Sequence, residues 1–423
     1  MNHQDTQHEG SADGVGALDA GSAERALAGS GSGRPPVVGM VGAGQLARMT
    51  AAAAIGLGIR FRVLAAAPDE SAAQVTADTV LGDYRSTADL LAFAAGCDVV
   101  TFDHEHVPQA QLRALEDAGH VVWPSAAALR FTQDKLAMRE RLTALGVPCP
   151  RFEPVSSLAD VAGFASRTRW PVVLKAISGG YDGRGVWICD DADAAAEVLA
   201  HGLPVLAEEY VPFERELAIL IARSPSGHGV SYPVVQSVQR DGICVEVLAP
   251  APGLPEATAV EAQRLGLELA RDHDVIGLLA VELFLLRDGS LLVNELAMRP
   301  HNTGHWTIDG ALTSQFEQHL RAVLNLPLGS PAMVAPCVVM ANVLGGADPD
   351  LHGKLNHVMA ADTALRVHLY GKPVRPGRKV GHVTALGRVL PVLRDRTARA
   401  ANYLATGSEE PVEPAETSAG TRS

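Results

Sequence analysis

The segment Val172-Val-Leu-Lys175-Ala-Ile-Ser-Gly-Gly-Tyr181-Asp182-Gly-Arg184-Gly185-Val-Trp-Ile188 decides the fold of this chain. One apolar run ends at Lys175, four glycines surround a Tyr-Asp pair, and a second apolar run follows. Two strands joined in this way form a flexible hairpin flap, because glycine lacks the Cβ that keeps the backbone away from a bound phosphate. In a P-loop the lysine follows the glycines and a helix begins there. Here the lysine comes first, so the sequence predicts nucleotide binding on a different fold.

Length and composition indicate a globular protein of two or three domains. The chain has 423 residues, of which 47% are apolar and 20% are charged. It contains no apolar run of about 18 residues, so we expect no membrane span. Residues 1–34 also lack the apolar segment of a secretory signal. A cytoplasmic location is therefore predicted.

The net charge argues against a nucleic-acid partner. Residues 1–34 and 405–423 are rich in small and polar residues and are predicted to be disordered tails. Each tail carries a net charge of −3, which leaves −7 of the total −13 on the body. An acidic body without basic clusters does not suit a polyanion. The negative charge of a substrate must then be met by local groups.

Cysteine and lysine usage narrows the chemistry further. The five cysteines show no C-x-x-C spacing, which favours buried thiols in a reducing compartment. Only five of the 35 basic residues are lysines, and Lys175, Lys372 and Lys379 lie in motif segments. Positions that keep lysine in an arginine-rich chain are enriched for sites that need a compact ammonium group.

The element pattern predicts an α/β protein whose first domain is a doubly wound parallel sheet. Strands at 37–41, 61–64, 79–81, 99–102 and 121–123 alternate with helices. One helix is predicted from 126 to about 145, and it ends at the breaker Gly146-Val-Pro-Cys-Pro150. The expected domains are 35–146, a small lid at 147–207, and a larger α+β domain at 208–404. Helices are expected near 256–273 and 308–324.

The loop Gly42-Ala-Gly-Gln45-Leu-Ala47 allows two interpretations. It matches the dinucleotide pattern G-x-G-x-x-G/A between a strand and a helix. However, the second strand ends in Leu64-Ala-Ala-Ala67 and lacks the acid that would hold a ribose. Alternatively, the loop and the helix N-terminus hold a single phosphate monoester.

Two acids on apolar strands predict a magnesium site. Glu282 lies in Val-Glu-Leu-Phe-Leu and Glu295 in Leu-Leu-Val-Asn294-Glu, with a hairpin turn at 287–290 between them. Buried acids are costly unless they are paired or bound to metal. Mg2+ prefers such oxygen ligands together with phosphate oxygens. Solvated acids on an edge strand are the structural alternative.

Two basic segments are candidate anion sites. Arg299-Pro-His301-Asn-Thr-Gly-His305-Trp follows the second acid strand, and His301 is favoured over His305, which could simply pack. The segment 370–382 carries Lys372, Arg375, Arg378 and Lys379 among Pro and Gly. In an acidic body this cluster favours a phosphate or carboxylate clamp over a merely solvated surface.

From about residue 37 to 390 these motifs resemble the ATP-grasp superfamily, and within it the N5-carboxyaminoimidazole ribonucleotide synthetases of purine biosynthesis. The resemblance is most specific at 179–185, 294–306 and 375–382. It implies three domains and an ATP-dependent C–N ligase. In the implied reaction, ATP phosphorylates bicarbonate to carboxyphosphate, which carboxylates the exocyclic amine of 5-aminoimidazole ribonucleotide. The resemblance also implies a homodimer.

The resemblance assigns site residues by position. Mg2+, with Mn2+ as an alternative, would sit on Glu282 and Glu295. The implied ATP-binding residues are Arg130, Lys175, Gly180, Tyr181, Asp182, Gly183, Arg184, Gly185, Val186, Glu208, Glu209, Tyr210, Val211, Glu216, Gln239, Asn294 and Glu295. The implied residues for the ribonucleotide and bicarbonate are Gln45, Glu105, Tyr181, Asp182, Arg184, Arg299, His301, Lys372, Arg378 and Lys379. The implied catalytic residues are Asp182, Arg299, His301 and Lys379.

The chain departs from the family pattern in two places. The usual Glu-Phe-Glu-x-Val-Pro is Asp103-His104-Glu105-His106-Val-Pro here, and Gln236 and Gln239 stand where some members have histidine. Three alternatives to this ligase remain at this stage: a formate-dependent glycinamide ribonucleotide transformylase, a nicotinamide oxidoreductase, and a non-catalytic nucleotide-binding module. The segment 375–382 argues against the transformylase. The missing strand-end acid argues against the oxidoreductase. The retained Lys175, Glu282 and Glu295 argue against a non-catalytic module.

Overall fold

The computed structural model describes residues 33–180 and 185–410, whose strands form three sheets. In chain order, the three sheets have four, four and nine strands. The centre of the predicted flap, residues 181–184, and most of the two predicted tails lie outside the described residues. In the described ranges, none of the helices combines the length and apolarity needed to cross a bilayer.

The N-terminal sheet is parallel, with strand order β3-β2-β1-β4. Its strands are β1 (Val37–Val41), β2 (Arg60–Ala65), β3 (Asp78–Leu81) and β4 (Val99–Phe102). The helices of this region are α1 (Gln45–Gly56), α2 (Thr87–Ala94), α3 (Gln109–Asp117), α4 (Ala126–Gln133) and α5 (Lys135–Ala144). The central strand β1 is buried throughout, because apolar clusters cover both of its faces. The predicted parallel sheet is confirmed.

The second sheet is antiparallel and carries the flap. Its strands are β5 (Phe152–Val155), β6 (Val172–Ala176), β7 (Val186–Cys189) and β8 (Val205–Glu209), in the order β5-β8-β6-β7. Its helices are α6 (Leu158–Thr168) and α7 (Ala192–Leu199), which pack on one face over a small apolar core. Strands β6 and β7 pair directly, with Lys175 opposite Val186. The hairpin predicted around the glycine-rich turn is therefore present.

The third sheet is antiparallel and continuous from β14 to β16. Its strands are β9 (Arg215–Arg223), β10 (Gly229–Ser231), β11 (Val235–Arg240), β12 (Ile243–Ala249), β13 (Gly277–Leu285), β14 (Leu291–Ala297), β15 (Cys337–Leu344), β16 (Arg366–Leu369) and β17 (Lys379–Gly387). The associated helices are α8 (Glu256–Asp272), α9 (Thr307–Gly310), α10 (Gln315–Val323), α11 (Leu351–Ala361) and α12 (Leu390–Thr406). A short 3-10 turn covers Asn302–Gly304.

Three predicted elements were wrong in detail. Residues 121–123 form no regular strand, and only an isolated bridge joins Val122 to Val100. The helix predicted from 126 to 145 breaks at Asp134, whose side chain accepts from the backbone N–H of Ala137 and starts α5. The helix predicted near 308–324 is split into α9 and α10, because Ser314 caps the second part. Short polar capping residues can break a helical pattern that apolar spacing alone would continue.

The N-terminal sheet and the third sheet are packed together through α10. Leu320 and Val323 of this helix join the apolar cluster that contains Val38 and Met40 of β1. At the same contact, the buried His319 Nε2 lies 2.8 Å from the Thr101 hydroxyl of β4. The loops at the carboxyl ends of the N-terminal strands are thereby held against the third sheet.

The glycine loop before α1 is filled by a carboxylate of the protein itself. Gly42 has a φ of +100°, and a Cβ there would overlap Oδ1 of the buried Asp103. The Gly44 N–H donates to Oδ2 of Asp103 at 2.5 Å. Both a dinucleotide and a phosphate monoester would need these backbone groups, so neither interpretation of the loop fits. The glycines make room for Asp103.

We expect Gly42→Ala to destabilise the protein strongly. The new methyl group meets the Asp103 carboxylate, and the backbone must also keep a left-handed conformation, so the loss should reach about 3 kcal/mol. Gly58→Ala is the matched control, since Gly58 has a φ of +66° and an added Cβ there would have no heavy atom within 4 Å. It should cost only about 1 kcal/mol. Equilibrium unfolding in urea measures both, and equal losses would contradict the packing argument.

Candidate active site

A cleft of about 1300 Å³ lies where the three sheets meet. The N-terminal sheet contributes the loops at 42–46 and 103–108, and the second sheet contributes Lys175 and the edge of the flap. The third sheet contributes the acid strands β13 and β14 and the segment that ends at Lys379. A concave site of this size at a junction of domains is typical of ligand binding.

Most of the residues predicted for the site line this one cleft. They are Gln45, Glu105, Lys175, Gly180, Val186, Glu208, Glu209, Tyr210, Val211, Glu216, Gln239, Glu282, Asn294, Glu295, Arg299, His301, Lys372, Arg378 and Lys379. Residues separated by more than 300 positions, such as Gln45 and Lys379, are thus brought together.

The remaining predicted residues lie elsewhere or cannot be placed. Tyr181, Asp182, Gly183 and Arg184 lie outside the described residues. Gly185 precedes β7, and its carbonyl accepts from the backbone N–H of Ala176. Arg130 lies beside a smaller cavity with Arg113 and Glu116, away from the cleft lining that the described residues form.

The two predicted metal acids face each other across a strand pair. Glu282 of β13 is directly opposite Glu295 of β14, where the pairing register shifts. Burial, followed by repulsion from Glu295, raises the pKa of Glu282 to about 7. Burial would also raise the pKa of Glu295, but Lys135, together with Lys175 and His301, outweighs burial and lowers that pKa. The Lys135 ammonium lies 2.7 Å from the Glu295 carboxylate.

This acid pair fits a magnesium ion that is completed by substrate. The described residues contain no cluster of three or more His, Cys, Asp or Glu side chains that would hold a metal alone. Mg2+ is commonly bound by one or two carboxylates together with substrate phosphates. A divalent cation between Glu282 and Glu295 would also relieve the repulsion that disfavours two negative charges there.

A buried ion network joins the flap sheet to the acid strand. Glu208 of β8 accepts from Arg139 Nε at 2.8 Å and lies 2.8 Å from the Lys175 ammonium. Arg139 also donates to the carbonyls of Val293 and Asn294 on β14. Burial alone would raise the pKa of Glu208, but Lys175 and Arg139 together lower it to about 2. Glu208, Arg139 and Lys175 therefore hold one another in place within this network.

Lys175 also contacts β14 directly. Its ammonium donates to Asn294 Oδ1 at 3.1 Å, one residue from Glu295. Burial lowers the pKa of Lys175, which Glu208 partly opposes. The lysine that precedes the flap therefore lies beside Glu295, one of the two acids predicted to bind metal.

Charged pairs line the opposite wall of the cleft. Arg299 Nε donates to Glu105 at 2.6 Å and so joins the third sheet to the N-terminal domain. His301 Nε2 lies 3.6 Å from Glu282, and its Nδ1 lies 2.8 Å from the Thr303 hydroxyl. Two of the predicted catalytic residues, Arg299 and His301, therefore lie on the same side of the cleft as Glu282 and Glu295.

The cationic segment reaches the glycine loop of the N-terminal domain. Lys372 donates to Gln45 Oε1 at 2.6 Å. Arg378 donates to the Pro373 carbonyl, and Lys379 begins β17. Lys372 therefore joins the C-terminal part of the third sheet to the loop that precedes α1, while Arg378 and Lys379 line the same cleft.

Sequence reasoning missed several residues of the site. Lys135 was visible as one of five lysines, but no motif marked it as a partner of Glu295. Arg139 lies in the middle of α5, and no local pattern distinguishes it. Tyr84, His104 and His106 also line the cleft. The His104 ring stacks on His106 and meets Tyr84 edge to face.

The first departure from the family pattern has a structural explanation. Asp103 stands where the family pattern has its first glutamate, and its carboxylate accepts a hydrogen bond from the Gly44 N–H. The shorter acid therefore still reaches the glycine loop. His104 replaces the aromatic spacer with another ring. At the second departure, Gln239 lines the cleft, whereas Gln236 is buried within β11.

The flap hairpin, the paired acid strands and the cleft between three sheets define an ATP-grasp protein. Three family models match: the ATP-grasp domain at 140–316, the ribonucleotide synthetase preATP-grasp domain at 36–133, and the phosphoribosylaminoimidazole carboxylase C-terminal domain at 338–396. The predicted fold class is thereby confirmed. The chain belongs to the N5-carboxyaminoimidazole ribonucleotide synthetase family, as its relatives show.

Among the relatives is the N5-carboxyaminoimidazole ribonucleotide synthase of Mycobacterium tuberculosis (strain ATCC 25618 / H37Rv), 55% identical over 379 residues and covering 88% of each chain. The enzyme of that name from Synechococcus elongatus is 39% identical and covers 82% of this chain and 88% of its own. The synthetase structure from Thermus thermophilus superimposes with a TM-score of 0.79 at 39% identity, covering 87% and 98% of the two chains.

A further solved structure that resembles this chain contains bound ligands. The N5-carboxyaminoimidazole synthase of Aspergillus clavatus in complex with ADP and 5-aminoimidazole ribonucleotide has a TM-score of 0.81 at 32% identity, covering 88% and 98% of the two chains. These relatives do not support the alternative of a formate-dependent glycinamide ribonucleotide transformylase, which is therefore wrong. The nicotinamide alternative fails on the Asp103 carboxylate in its loop.

We expect Glu208→Gln to lose about 3–5 kcal/mol of stability, because Arg139 and Lys175 would stay buried without a negative partner. The depressed pKa of Glu208 stabilises the fold above the unfolded value near 4.5, and this contribution disappears as the pH falls towards 2. Unfolding at pH 7 and at pH 3 should therefore show a smaller difference between variant and parent at the lower pH.

Glu153→Gln is the matched control for this substitution. Glu153 pairs with Arg167 at the surface, and both side chains are about half exposed. An exposed pair of this kind contributes about 0–1 kcal/mol. A Glu208→Gln variant that was no less stable than Glu153→Gln would contradict the assigned role of the buried network.

Proposed function

We propose that this chain uses ATP and bicarbonate to carboxylate 5-aminoimidazole ribonucleotide in purine biosynthesis. The products are N5-carboxyaminoimidazole ribonucleotide, ADP and phosphate. The observation that carries the proposal is the meeting, in one cleft, of the flap lysine Lys175, the paired acids and the cationic segment 372–379. Membership of the N5-carboxyaminoimidazole ribonucleotide synthetase family supports the same activity.

ATP lies between the second and third sheets in this proposal. Lys175 meets its phosphates beneath the flap, and the connector Glu208–Val211 runs along the base. The Glu208 carboxylate is committed to Arg139 and Lys175, so it would act on the nucleotide by fixing the position of Lys175. Glu216 takes the ribose, and Gln239 adds a contact from the neighbouring strand. Arg130 would have to turn from its smaller cavity to reach the phosphates.

Glu282 and Glu295 would hold Mg2+ in this cleft, with Mn2+ as the alternative ion. The ion supplies charge neutralisation at the phosphate oxygens when it is bound. Lys135 holds Glu295 in the charged form that such a ligand needs. Lys175 and Asn294 hold the strand and the flap base in contact beside it.

Bicarbonate would bind beside the acids, where Arg299 and His301 face the cleft. Arg299 supplies a fixed positive charge, which Glu105 orients through a 2.6 Å hydrogen bond. Bicarbonate oxygen attacks the terminal phosphorus of ATP, ADP leaves, and carboxyphosphate results. This intermediate is prone to hydrolysis, so the flap closes over it and excludes water.

The ribonucleotide would lie on the N-terminal side of the cleft. Gln45 and Glu105 contact it from the N-terminal loops, and Lys372, Arg378 and Lys379 meet its phosphate. The family resemblance adds Tyr181, Asp182 and Arg184 to its contacts; these residues lie outside the described structure. The exocyclic amine attacks the carboxyl carbon, phosphate leaves, and His301 or Asp182 takes the proton.

Three further predictions belong to this proposal. The chain acts as a homodimer and works in the cytoplasm. Its domains divide at about 146 and 207, although the nine strands from β9 to β17 form a single sheet. The acidic body and the described cleft together suit small anionic substrates better than a nucleic acid.

ADP release tests the proposed reaction. With Mg-ATP alone we expect slow release, and we expect a large increase only when 5-aminoimidazole ribonucleotide and bicarbonate are both present, since transfer completes the cycle. Coupled detection of ADP, together with mass analysis of the carboxylated product, measures this. Release that ignored the ribonucleotide would count against the proposal.

We expect Lys379→Ala to reduce kcat/KM about 100- to 1000-fold without unfolding the protein, because removing one preorganised charge from an oxyanion or phosphate site typically costs about 3–4 kcal/mol. Arg388→Ala is the matched control, since Arg388 is an exposed cation that directly follows β17, outside the segment predicted to clamp the phosphate. Steady-state kinetics measure kcat/KM of both variants, and thermal melting checks that both remain folded. Equal activities of the two variants would remove Lys379 from the site.

A further inference from the structure

A buried chain of polar side chains runs from the backbone of His301 to the substrate cleft. Its members are Gln315, His305 and Gln45, and the first two are fully buried. Gln45 ends the chain at the cleft, where Lys372 contacts it. Each hydrogen bond along the chain constrains the next, so the orientation of Gln45 can be worked out from the buried end.

The backbone of His301 sets the orientation of the Gln315 amide. The His301 N–H donates to Gln315 Oε1 at 2.8 Å, and Gln315 Nε2 donates to the His301 carbonyl at 2.7 Å. Reversing this amide would place donor against donor and acceptor against acceptor. The second hydrogen of Gln315 Nε2 is then available for His305 Nδ1, which lies 3.0 Å away.

His305 must consequently carry its proton on Nε2. Its Nδ1 accepts from Gln315, and a neutral imidazole has one donor and one acceptor nitrogen. Burial, followed by the nearby His301 and Lys379, lowers the pKa of His305 well below its usual value, so the ring is neutral. The Nε2–H bond therefore points towards Gln45.

Lys372 and His305 compete for the same oxygen of Gln45. The Gln45 amide nitrogen lies 3.3 Å from His305 Nε2, which sets two donors against each other. Its Oε1 faces the Lys372 ammonium instead, at 2.6 Å. The oxygen and the nitrogen of the Gln45 amide point in different directions, one towards Lys372 and the other towards His305. Gln45 therefore cannot turn its oxygen to both Lys372 and His305 in this geometry.

We propose that His305 and Gln315 are positioning residues that turn the Gln45 amide when substrate binds. This inference rests on the proposed function. An anionic group of the ribonucleotide attracts Lys372 away from Gln45. The released amide then rotates, accepts from His305 Nε2–H, and directs its NH2 group into the cleft. Gln45 thereby becomes a donor to an acceptor atom of the ribonucleotide.

The tautomer of His305 tests the first part in the ligand-free protein, without any substrate. Nitrogen-15 NMR of the histidine-labelled protein distinguishes the two neutral tautomers, and His305→Gln identifies the signal. We expect the Nε2–H form. An Nδ1–H form would overturn the inference, whether or not the protein carboxylates the ribonucleotide. His319→Gln, which removes another buried histidine, should leave the His305 signal in place.

Gln45→Glu tests the second part. A carboxylate can accept from His305 and from Lys372 together, so it holds Lys372 back and offers no amide donor. We expect the dissociation constant for 5-aminoimidazole ribonucleotide to rise about 10- to 100-fold, the size expected for a lost hydrogen bond to a charged group. The affinity for ATP should change much less. Isothermal titration measures both constants without requiring turnover.

Val75→Glu is the matched control, since Val75 is exposed and directly follows Gln74, which contacts the Gly371 carbonyl beside Lys372. It adds the same charge next to the same segment and should change ribonucleotide binding less than about twofold, as surface substitutions usually do. Equal weakening in the two variants, or unchanged binding in Gln45→Glu, would overturn the inference. Absence of ribonucleotide binding by the parent protein would instead contradict the proposed function.

Discussion

The architecture depends on one buried carboxylate, Glu208, held between two cations. Arg139 comes from the N-terminal region, Lys175 from the strand before the flap, and Glu208 from the neighbouring strand. Because Arg139 also donates to carbonyls of β14, the flap sheet cannot move from the acid strand without exposing an unpaired charge. The network therefore holds the strands at the base of the predicted flap against the strand that carries Glu295.

The cleft balances opposite charges over short distances instead of relying on a global field. The body is acidic, and the two facing glutamates make part of the cleft unfavourable for further negative charge. Lys135, Arg299 and the cationic segment offset this locally. A substrate with phosphates and a divalent cation would complete this balance, since each supplies the charge that the other lacks.

Much of the site was visible in the sequence, and its limits have physical causes. The hairpin around residues 287–290 brought Glu282 close to Glu295, because a short turn leaves little choice of register. The turn alone would set Glu282 opposite Asn294, and only the register shift between Glu282 and Leu283 brings it opposite Glu295. By contrast, the glycine loop was misread, since a glycine that accommodates Asp103 looks the same as one that accommodates phosphate. The helix at 126–145 was drawn too long, because Asp134 competes with the helix through a local cap.

The amino-acid order by itself determined the alternation of strands and helices, the flap with its preceding lysine, and the acids carried on apolar strands. These depend on local spacing and on the chemistry of each side chain. Only the tertiary structure decided that Arg139 binds Glu208, that Lys135 holds Glu295, and that His305 meets Gln45. Such pairs join distant segments, and their partners are selected by burial and direction, which no local pattern records.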